Sequence, residues 1–266
     1  MMAFGFNVMA YVRTMTCHEG ASIAVDPLAC AENQTPVPIY WDSHCLTYYI
    51  NDTPPDEVEL DLLEEAVQLS FDEWSGQSCS GMRVHFAGYT DEYRVGYNKC
   101  DGAQNANIVT FVRSGWPHQS QALALTSVTY NLDTGLIVDA DMELNDQNFT
   151  FTTSNLAPLV RIDVQNTITH EGGHFLGLDH STIPESTMYA TAQTGDLFMR
   201  DLHEDDIDAI CSIYPDQGGE ACPQPEIGYF NRPEFAQQDT CLEDRGCQCT
   251  QRNPSSEKPW QSLLMG

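Results

Sequence analysis

Three histidines fall within one short stretch, residues 169–181, which reads THEGGHFLGLDHS. His170 and His174 are four residues apart, so on a helix their imidazoles project from one face and can bind one metal ion. Glu171 follows His170, where its carboxylate can reach a water beside the metal. Three neutral nitrogens, with His180 as the third, leave a fourth position for water, as in a catalytic zinc site. The stretch therefore predicts one catalytic Zn²⁺ on these histidines, with Glu171 as general base.

Gly177 and Met188 follow the first two histidines along the chain. Gly177 lacks a Cβ, which permits the sharp turn that ends the helix and sends the chain back beneath the metal. Met188 lies in STMYA, residues 186–190, eight residues after His180. The alternative is that the histidines are solvated residues on an amphipathic helix. That alternative gives no reason for Gly177 and Met188 to fall at these offsets, so we favour the metal site.

With Met188 included, the pattern resembles the metzincin metallopeptidases, in which a tight turn places a methionine under the metal. Two residues favour the matrixins within that clan: Ser181 follows the third histidine, and Tyr189 follows Met188. Outside the site, FDEWS at 71–75 resembles the end of the first matrixin helix. LHEDDI at 202–207 resembles the start of the last one.

This resemblance covers about residues 38–215 and implies an α+β fold. We expect a twisted mixed sheet covered by helices, with the active-site helix followed by a Met-turn and a C-terminal helix. The substrate, a protein or peptide, should lie antiparallel to the edge strand within 122–144. One pocket wall should come from 188–195 and from the helix near Asn166. Asp205 should lie beneath the site, accepting hydrogen bonds that hold the Met-turn or the N-terminus.

The sequence departs from the matrixin pattern in features that concern latency and a second zinc. No PRCGxPD cysteine switch is present. Cys17 could bind the metal as a thiolate, but the even cysteine count favours a disulfide. Between residues 112 and 143 only His118 is available for a structural zinc, so we expect none.

Calcium is a further candidate cofactor, because oxygen ligands are what Ca²⁺ prefers. The candidate ligands precede the active-site helix and are Asp133, Asp139, Asp141 and Glu143. Asp139, Asp141 and Glu143 alternate along the chain, as residues on one face of a strand do. The alternative to a calcium site is therefore that they form the solvated face of a strand.

Composition excludes some partners. The net charge is −28, with 39 acidic against 11 basic residues. Nucleic acid and anionic membranes bind positive surfaces, so neither is expected as a partner. No apolar run reaches the roughly 18–20 residues of a membrane-spanning helix. We expect a monomer.

Ten cysteines, an even number, are scattered along the chain. This usage is typical of disulfides formed in an oxidising compartment, so a secreted or cell-surface protein is expected. The connectivity stays open. Cys79–Cys100 and Cys211–Cys222 are favoured because each would close a short loop.

We divide the chain into four segments. Residues 1–10 are interpreted as the remnant of a signal peptide, with a short buried strand as the alternative. Residues 11–37 form an N-terminal lead-in or short pro-segment, and 38–215 form the matrixin-like catalytic domain. Residues 216–266 form a tail rich in Cys and Pro.

Periodicity predicts three helices, at about 56–76, 157–176 and 202–213. Five strands are predicted by short apolar runs bounded by turn residues. They cover residues 45–50, 82–86, 107–112, 122–130 and 136–144.

Other functions are compatible with parts of this pattern. An astacin-like peptidase is disfavoured, because astacins place Glu after the third histidine, where this chain has Ser181. A zinc-binding adhesion module without turnover would have no reason to keep Glu171. A hydrolase of non-peptide amides would use the same residues and is separable only by substrate trials.

Overall fold

A computed structural model describes residues 11–18, 23–24, 30, 35–98, 104–154, 161–218, 221–231 and 260–265. The strands, numbered along the chain, are β1 (Val12–Arg13), β2 (Met15–His18), β3 (Ile23–Ala24), β4 (Thr35–Pro38), β5 (Cys45–Asn51), β6 (Arg83–Thr90), β7 (Asn107–Phe111), β8 (Ala124–Asn131), β9 (Ile137–Leu144), β10 (Phe151–Thr152), β11 (Ile162–Asp163), β12 (Leu178–Asp179), β13 (Gly228–Phe230) and β14 (Trp260–Met265). The helices are α1 (Leu60–Ser75), α2 (Val164–Phe175) and α3 (Glu204–Ile213), with a short 3-10 helix at Phe198–Arg200. None of the helices in the described residues is both long and apolar enough to cross a bilayer.

The central sheet has seven strands in the order β13–β6–β5–β7–β9–β8–β14. Strands β5, β6, β7 and β9 are parallel, and β8 runs antiparallel to β9. β13 lies parallel to β6 at one edge, and β14 pairs antiparallel with Thr126–Asn131 of β8 at the other. The predicted α+β fold, a twisted mixed sheet covered by helices, is confirmed.

The five predicted strands correspond to β5 through β9. The largest difference is at β6, which continues to Thr90 rather than ending at Phe86. Three smaller sheets surround the central one: β3–β2–β4, the antiparallel pair β1–β12 and the parallel pair β10–β11.

Helices α1 and α2 pack against each other and against the sheet. The ring of Phe71 on α1 lies 4.4 Å from that of Tyr48 on β5 and 5.3 Å from that of Phe175 on α2. Nε1 of Trp74 donates a hydrogen bond of 2.9 Å to the carbonyl of Thr169. A Cβ on Gly172 would lie 2.9 Å from Trp74 Nε1, so this glycine permits the close approach of the two helices.

The helix starts differ from the predictions. α1 begins at Leu60 rather than near Asp56. The predicted start of α2 at residue 157 is wrong: 157–160 lie outside the described residues, and Ile162–Asp163 form β11 beside β10. The Asp163 side chain accepts a hydrogen bond of 2.7 Å from the Asn166 N–H. This N-cap satisfies a free N–H of the first turn, so the helix begins at Val164.

Three disulfides lie within the described residues: Cys17–Cys30, Cys45–Cys222 and Cys79–Cys211. Both favoured pairings are therefore wrong. Tertiary contacts decide against the short loops: the Gly81 N–H donates to the Tyr214 carbonyl at 2.9 Å, which brings Cys79 beside the C-terminal end of α3. The remaining cysteines lie outside the described residues: Cys100, Cys241, Cys247 and Cys249.

Candidate metal centre and active site

Helix α2 carries His170 and His174 on one face, and His180 reaches them from the segment beyond β12. The possible ligand nitrogens of the three residues all lie within 4.8 Å of one another. Nε2 of His174 lies 3.2 Å from Nε2 of His180. Two nitrogens on one tetrahedral zinc lie about 3.3 Å apart, given Zn–N bonds of about 2.0–2.1 Å. Within the described residues, this is the single cluster of three or more side chains able to hold a metal ion.

The turn after α2 depends on Gly177. Its φ of 89° lies in the left-handed region, and a Cβ there would lie 2.9 Å from the carbonyl oxygen of Ile39. Both facts favour glycine. The turn brings His180 back toward the helix.

Backbone carbonyls orient two of the three rings. Nδ1 of His170 lies 2.7 Å from the Thr187 carbonyl, and Nδ1 of His174 lies 2.9 Å from the Leu178 carbonyl. Because a carbonyl oxygen only accepts, each Nδ1 carries the hydrogen and each Nε2 keeps its lone pair for a metal. The Thr14 hydroxyl donates to the same Leu178 carbonyl at 3.2 Å. The N-terminal segment therefore supports the loop that leads to the third histidine.

Burial keeps the histidines neutral. Burial, and then the neighbouring His180, lowers the pKa of His170 to about 4. Burial and the other two histidines lower the pKa of His174 well below its ordinary value, and burial also lowers the pKa of His180. Neutral imidazole is the form that binds a metal. The three residues therefore fit Zn²⁺ both in their spacing and in their chemistry.

Glu171 is buried beside the triad and lines the adjoining cavity without belonging to the metal-binding cluster. The Thr126 hydroxyl on β8 donates a hydrogen bond of 2.5 Å to Oε2 of Glu171. Burial raises the pKa of Glu171 to about 8, and the hydrogen bond from Thr126 acts in the opposite direction. A cation on the adjacent histidines would further favour the carboxylate.

Met188 lies in a tight turn that packs against α2. It is 2% exposed, and a Cβ on Gly173 would lie 2.1 Å from its sulfur. The second glycine of HEGGH therefore leaves room for the thioether against α2. The Ser181 N–H donates to the Met188 carbonyl at 2.7 Å, which joins the turn to the residue after His180.

Asp206 holds this turn. Its carboxylate accepts hydrogen bonds from the Ser186 hydroxyl at 2.6 Å and from the N–H groups of Thr187 and Met188 at 2.7 and 3.2 Å. Asp205 accepts a hydrogen bond of 2.7 Å from the Ser181 hydroxyl. Sequence reasoning singled out Asp205 and missed Asp206. The Thr187 carbonyl orients His170, so Asp206 acts on the metal site through the turn.

A cavity of about 370 Å³ opens beside His170 and Glu171. Its lining comes from the loop before β8, the start of β8, α2 and the chain after the Met-turn: Gln119, Gln121, Ala122, Leu123, Ala124, Asn166, Thr167, His170, Glu171, Tyr189, Ala190, Thr191, Ala192 and Met199.

Two contacts tie the cavity wall to α2. Oδ1 of Asn166 accepts a hydrogen bond of 2.8 Å from the Met199 N–H. Nε of Arg200 donates to Oδ1 of Asp163 at 2.8 Å. The wall and the start of α2 are thus held in one arrangement.

The acidic residues of β9 have protein partners. Asp141 accepts hydrogen bonds from the N–H groups of Ile108 at 2.9 Å and Gly96 at 2.6 Å. Glu143 lies 3.1 Å from Nε2 of His118. Asp139, Asp141 and Glu143 are all buried, so the suggested solvated strand face is wrong. Cys17 is in a disulfide and is therefore not a thiolate.

Two comparisons with known proteins agree with this geometry. The family model described as Matrixin matches residues 40–215. A 61-residue stretch is 41% identical to Metalloendoproteinase 2-MMP of Arabidopsis thaliana, covering 23% of this chain and 16% of that protein. The chain thus spans a small part of that relative, whereas the family match includes the histidine triad, the Met-turn and α3. The family match over residues 40–215 shows that the chain belongs to the matrixin family.

Proposed function

We propose that the protein is a secreted zinc-dependent endopeptidase in which His170, His174 and His180 hold the metal and Glu171 is the general base. One observation carries the proposal: Glu171 lines the cavity beside the triad and is not part of the ligand cluster. A carboxylate in that position does not bind the metal, and it can contact a water molecule and a substrate in the cavity.

The chemistry divides between the metal and the chain. Zinc, when bound, supplies Lewis acidity, which lowers the pKa of water and polarises the scissile carbonyl. Glu171 accepts a proton from the attacking water and returns it to the departing amine. The carbonyls of Thr187 and Leu178 keep the His170 and His174 rings in the tautomer that presents Nε2.

The substrate backbone should pair with β8 beside the cavity. β14 covers β8 from Thr126 to Asn131, whereas Ala122, Leu123 and Ala124 line the cavity. An extended peptide that runs antiparallel along residues 122–125 would pass His170 and Glu171. Its backbone would add a strand to the sheet. Such pairing recognises the peptide through main-chain hydrogen bonds rather than through its side chains.

Selectivity should come from the side chain that enters the cavity. Ala190, Thr191 and Met199 line its wall, and Asn166 is already bonded to Met199 N–H through its Oδ1. With no charged side chain among these four residues, an apolar substrate side chain fits better than a charged one.

We also infer that residues 38–215 form the catalytic domain and that the chain works outside the cytosol. Three disulfides in the described residues support an oxidising compartment. An acidic chain with a net charge of −28 suits a soluble protein substrate better than a nucleic acid.

The test is cleavage of a pool of denatured proteins by the purified chain, with the cut sites sequenced. We expect internal cuts, an apolar preference after the scissile bond, and complete loss of cutting in the presence of a zinc chelator. Adding zinc back should restore the same cut sites. Cutting that persists in the chelator, or its absence from the zinc-loaded protein, would contradict the proposal.

A further inference from the structure

Thr126 makes an unusual contact for a strand residue. Its side chain is 0% exposed and faces α2 rather than solvent. Oγ1 lies 2.5 Å from Oε2 of Glu171 and 3.3 Å from the backbone carbonyl of the same residue. A hydroxyl has a single hydrogen to donate, and the contact with the carboxyl oxygen is the shorter of the two. The hydrogen bond therefore goes to the carboxylate.

Both ends of this contact are carried by regular structure. Thr126 is paired with Met142 of β9, in the interior of the central sheet. A β-branched side chain has few χ1 states, so the direction of the hydroxyl is largely set by the strand. The Glu171 side chain has three rotatable bonds and needs an external contact to hold its carboxylate in one orientation.

We propose that Thr126 is a positioning residue for Glu171: its hydroxyl holds Oε2, so that Oε1 is the oxygen that meets the attacking water. The inference rests on the proposed role of Glu171 as base. Thr126 keeps its own proton throughout. The proton from water passes to Oε1 and then to the amine, so the hydroxyl improves alignment without entering the reaction.

Two substitutions separate the hydroxyl from the shape of the side chain. Thr126→Val keeps the branched shape and removes the donor, and Thr126→Ser keeps the donor and removes a methyl group. A hydrogen bond to a charged group corresponds to about a 10- to 100-fold effect, so T126V should lower kcat by about that factor. KM and zinc content should stay at the values of the unsubstituted protein, and T126S should keep kcat within about threefold.

The matched control is Thr110→Val. Thr110 is also a buried threonine of the central sheet, on β7, and is 1% exposed. Its hydroxyl has no hydrogen-bond partner among the described residues. T110V makes the same chemical change away from the site and should leave kcat unchanged.

The outcomes separate the inference from the proposed function. An unsubstituted protein that cuts no peptide refutes the proposed function, whatever the variants do. If the unsubstituted protein cuts and T126V matches it, or if T126S falls as far as T126V, the positioning role is refuted and the assignment of Glu171 as base is unaffected. Should T126V not fold, Thr126→Ala also lacks the hydroxyl and gives the same comparison with T126S.

Discussion

Helices α1 and α2 lie against each other, but they are stabilised in different ways. α1 buries six of its 16 residues, five of them apolar, and leaves Leu62 and Leu69 exposed. α2 buries ten of its 12 residues, among them Thr169, Glu171 and His174. The first is an amphipathic helix held by apolar packing. The second is surrounded on nearly every side.

Polar groups can be buried around α2 because other elements supply their partners. Glu171 is bonded to β8, His170 to the Met-turn, and the carbonyl of Thr169 to Trp74 of α1. Side chains also reach the C-terminal carbonyls of α2: Trp41 donates to Phe175 at 2.8 Å. Changes to the histidines of α2 or to the Met-turn packed on it should therefore alter zinc binding as well as stability, whereas changes on the solvent face of α1 should alter stability alone.

The largest effect is expected at His174, the fully buried histidine of the triad. The unsubstituted protein should hold one zinc per chain, and His174→Ala should hold none after dialysis. Activity should fall by more than about 100-fold. Removing a residue that only hydrogen-bonds to a metal ligand costs up to about 100-fold, and removing the ligand itself should cost more. Elemental analysis and a peptide-cleavage assay on the same samples measure both.

The matched control is His44→Ala, which removes a histidine outside the triad. This variant should keep its zinc. A second tightly held zinc in the unsubstituted protein would contradict the single-site account. So would an H174A variant that still binds one equivalent.

Met188 tests whether the turn supports the ligands by packing. Met188→Leu conserves volume and should cost less than about 1.5 kcal/mol of unfolding free energy. Met188→Ala opens a cavity under the histidines and should cost about 2–5 kcal/mol, with weaker zinc binding. Denaturant unfolding with and without a chelator separates the two quantities. A tolerated M188A beside an M188L that loses zinc would show that the turn does not lie under the metal.

Gly173 gives a smaller effect with a specific signature. Gly173→Ala gains about 1 kcal/mol of helix propensity. Its new methyl meets the Met188 sulfur, and such overpacking costs about 1–3 kcal/mol, so net destabilisation is expected. In the M188A background the clash with the sulfur is gone and a contact of 3.1 Å with Cζ2 of Trp74 remains, so G173A should be less destabilising there than in the unsubstituted protein. Additive effects in this double-mutant cycle would mean that the two residues are not in contact.

The smallest effect is expected on the solvent face of α1. Leu62 is 45% exposed and its neighbour Leu63 is 0% exposed. Leu62→Ala should change the free energy of unfolding by less than about 0.5 kcal/mol, and Leu63→Ala should cost about 2–5 kcal/mol. Both variants should keep their zinc. An L62A variant that lost zinc or activity would show that α1 is coupled to the site.

The two helices also differ in how far the sequence predicts them. The apolar period of α1 is local, and it gave the helix to within a few residues of its start. For α2, the histidine spacing is local as well, and the structure brings His170, His174 and His180 together. The predicted start of α2 was wrong because β11 and the N-cap at Asp163 come directly before the helix. Apolar periodicity does not distinguish so short a strand from the first turn of a helix.

The partners that hold the site are distant in sequence, and no spacing rule points to them. Thr126 is 45 residues from Glu171. Asp205 and Asp206 are adjacent acids, and which of them faces the Met-turn depends on the rotation of α3. The disulfides close through tertiary contacts in the same way, as Cys79–Cys211 does over 132 residues.

The most direct test of the account is the Glu171→Gln variant, with zinc content and turnover measured on one preparation. Glutamine keeps the size of the side chain and can still accept the hydrogen bond from Thr126, but it is not a base. We predict one zinc per chain, as in the unsubstituted protein, and a fall in turnover of at least about 10²–10⁴-fold, the usual contribution of a general base. An E171Q variant that still cleaves unfolded proteins at the original rate, or one that loses its zinc, would contradict the assignment of Glu171 as a base outside the ligand set.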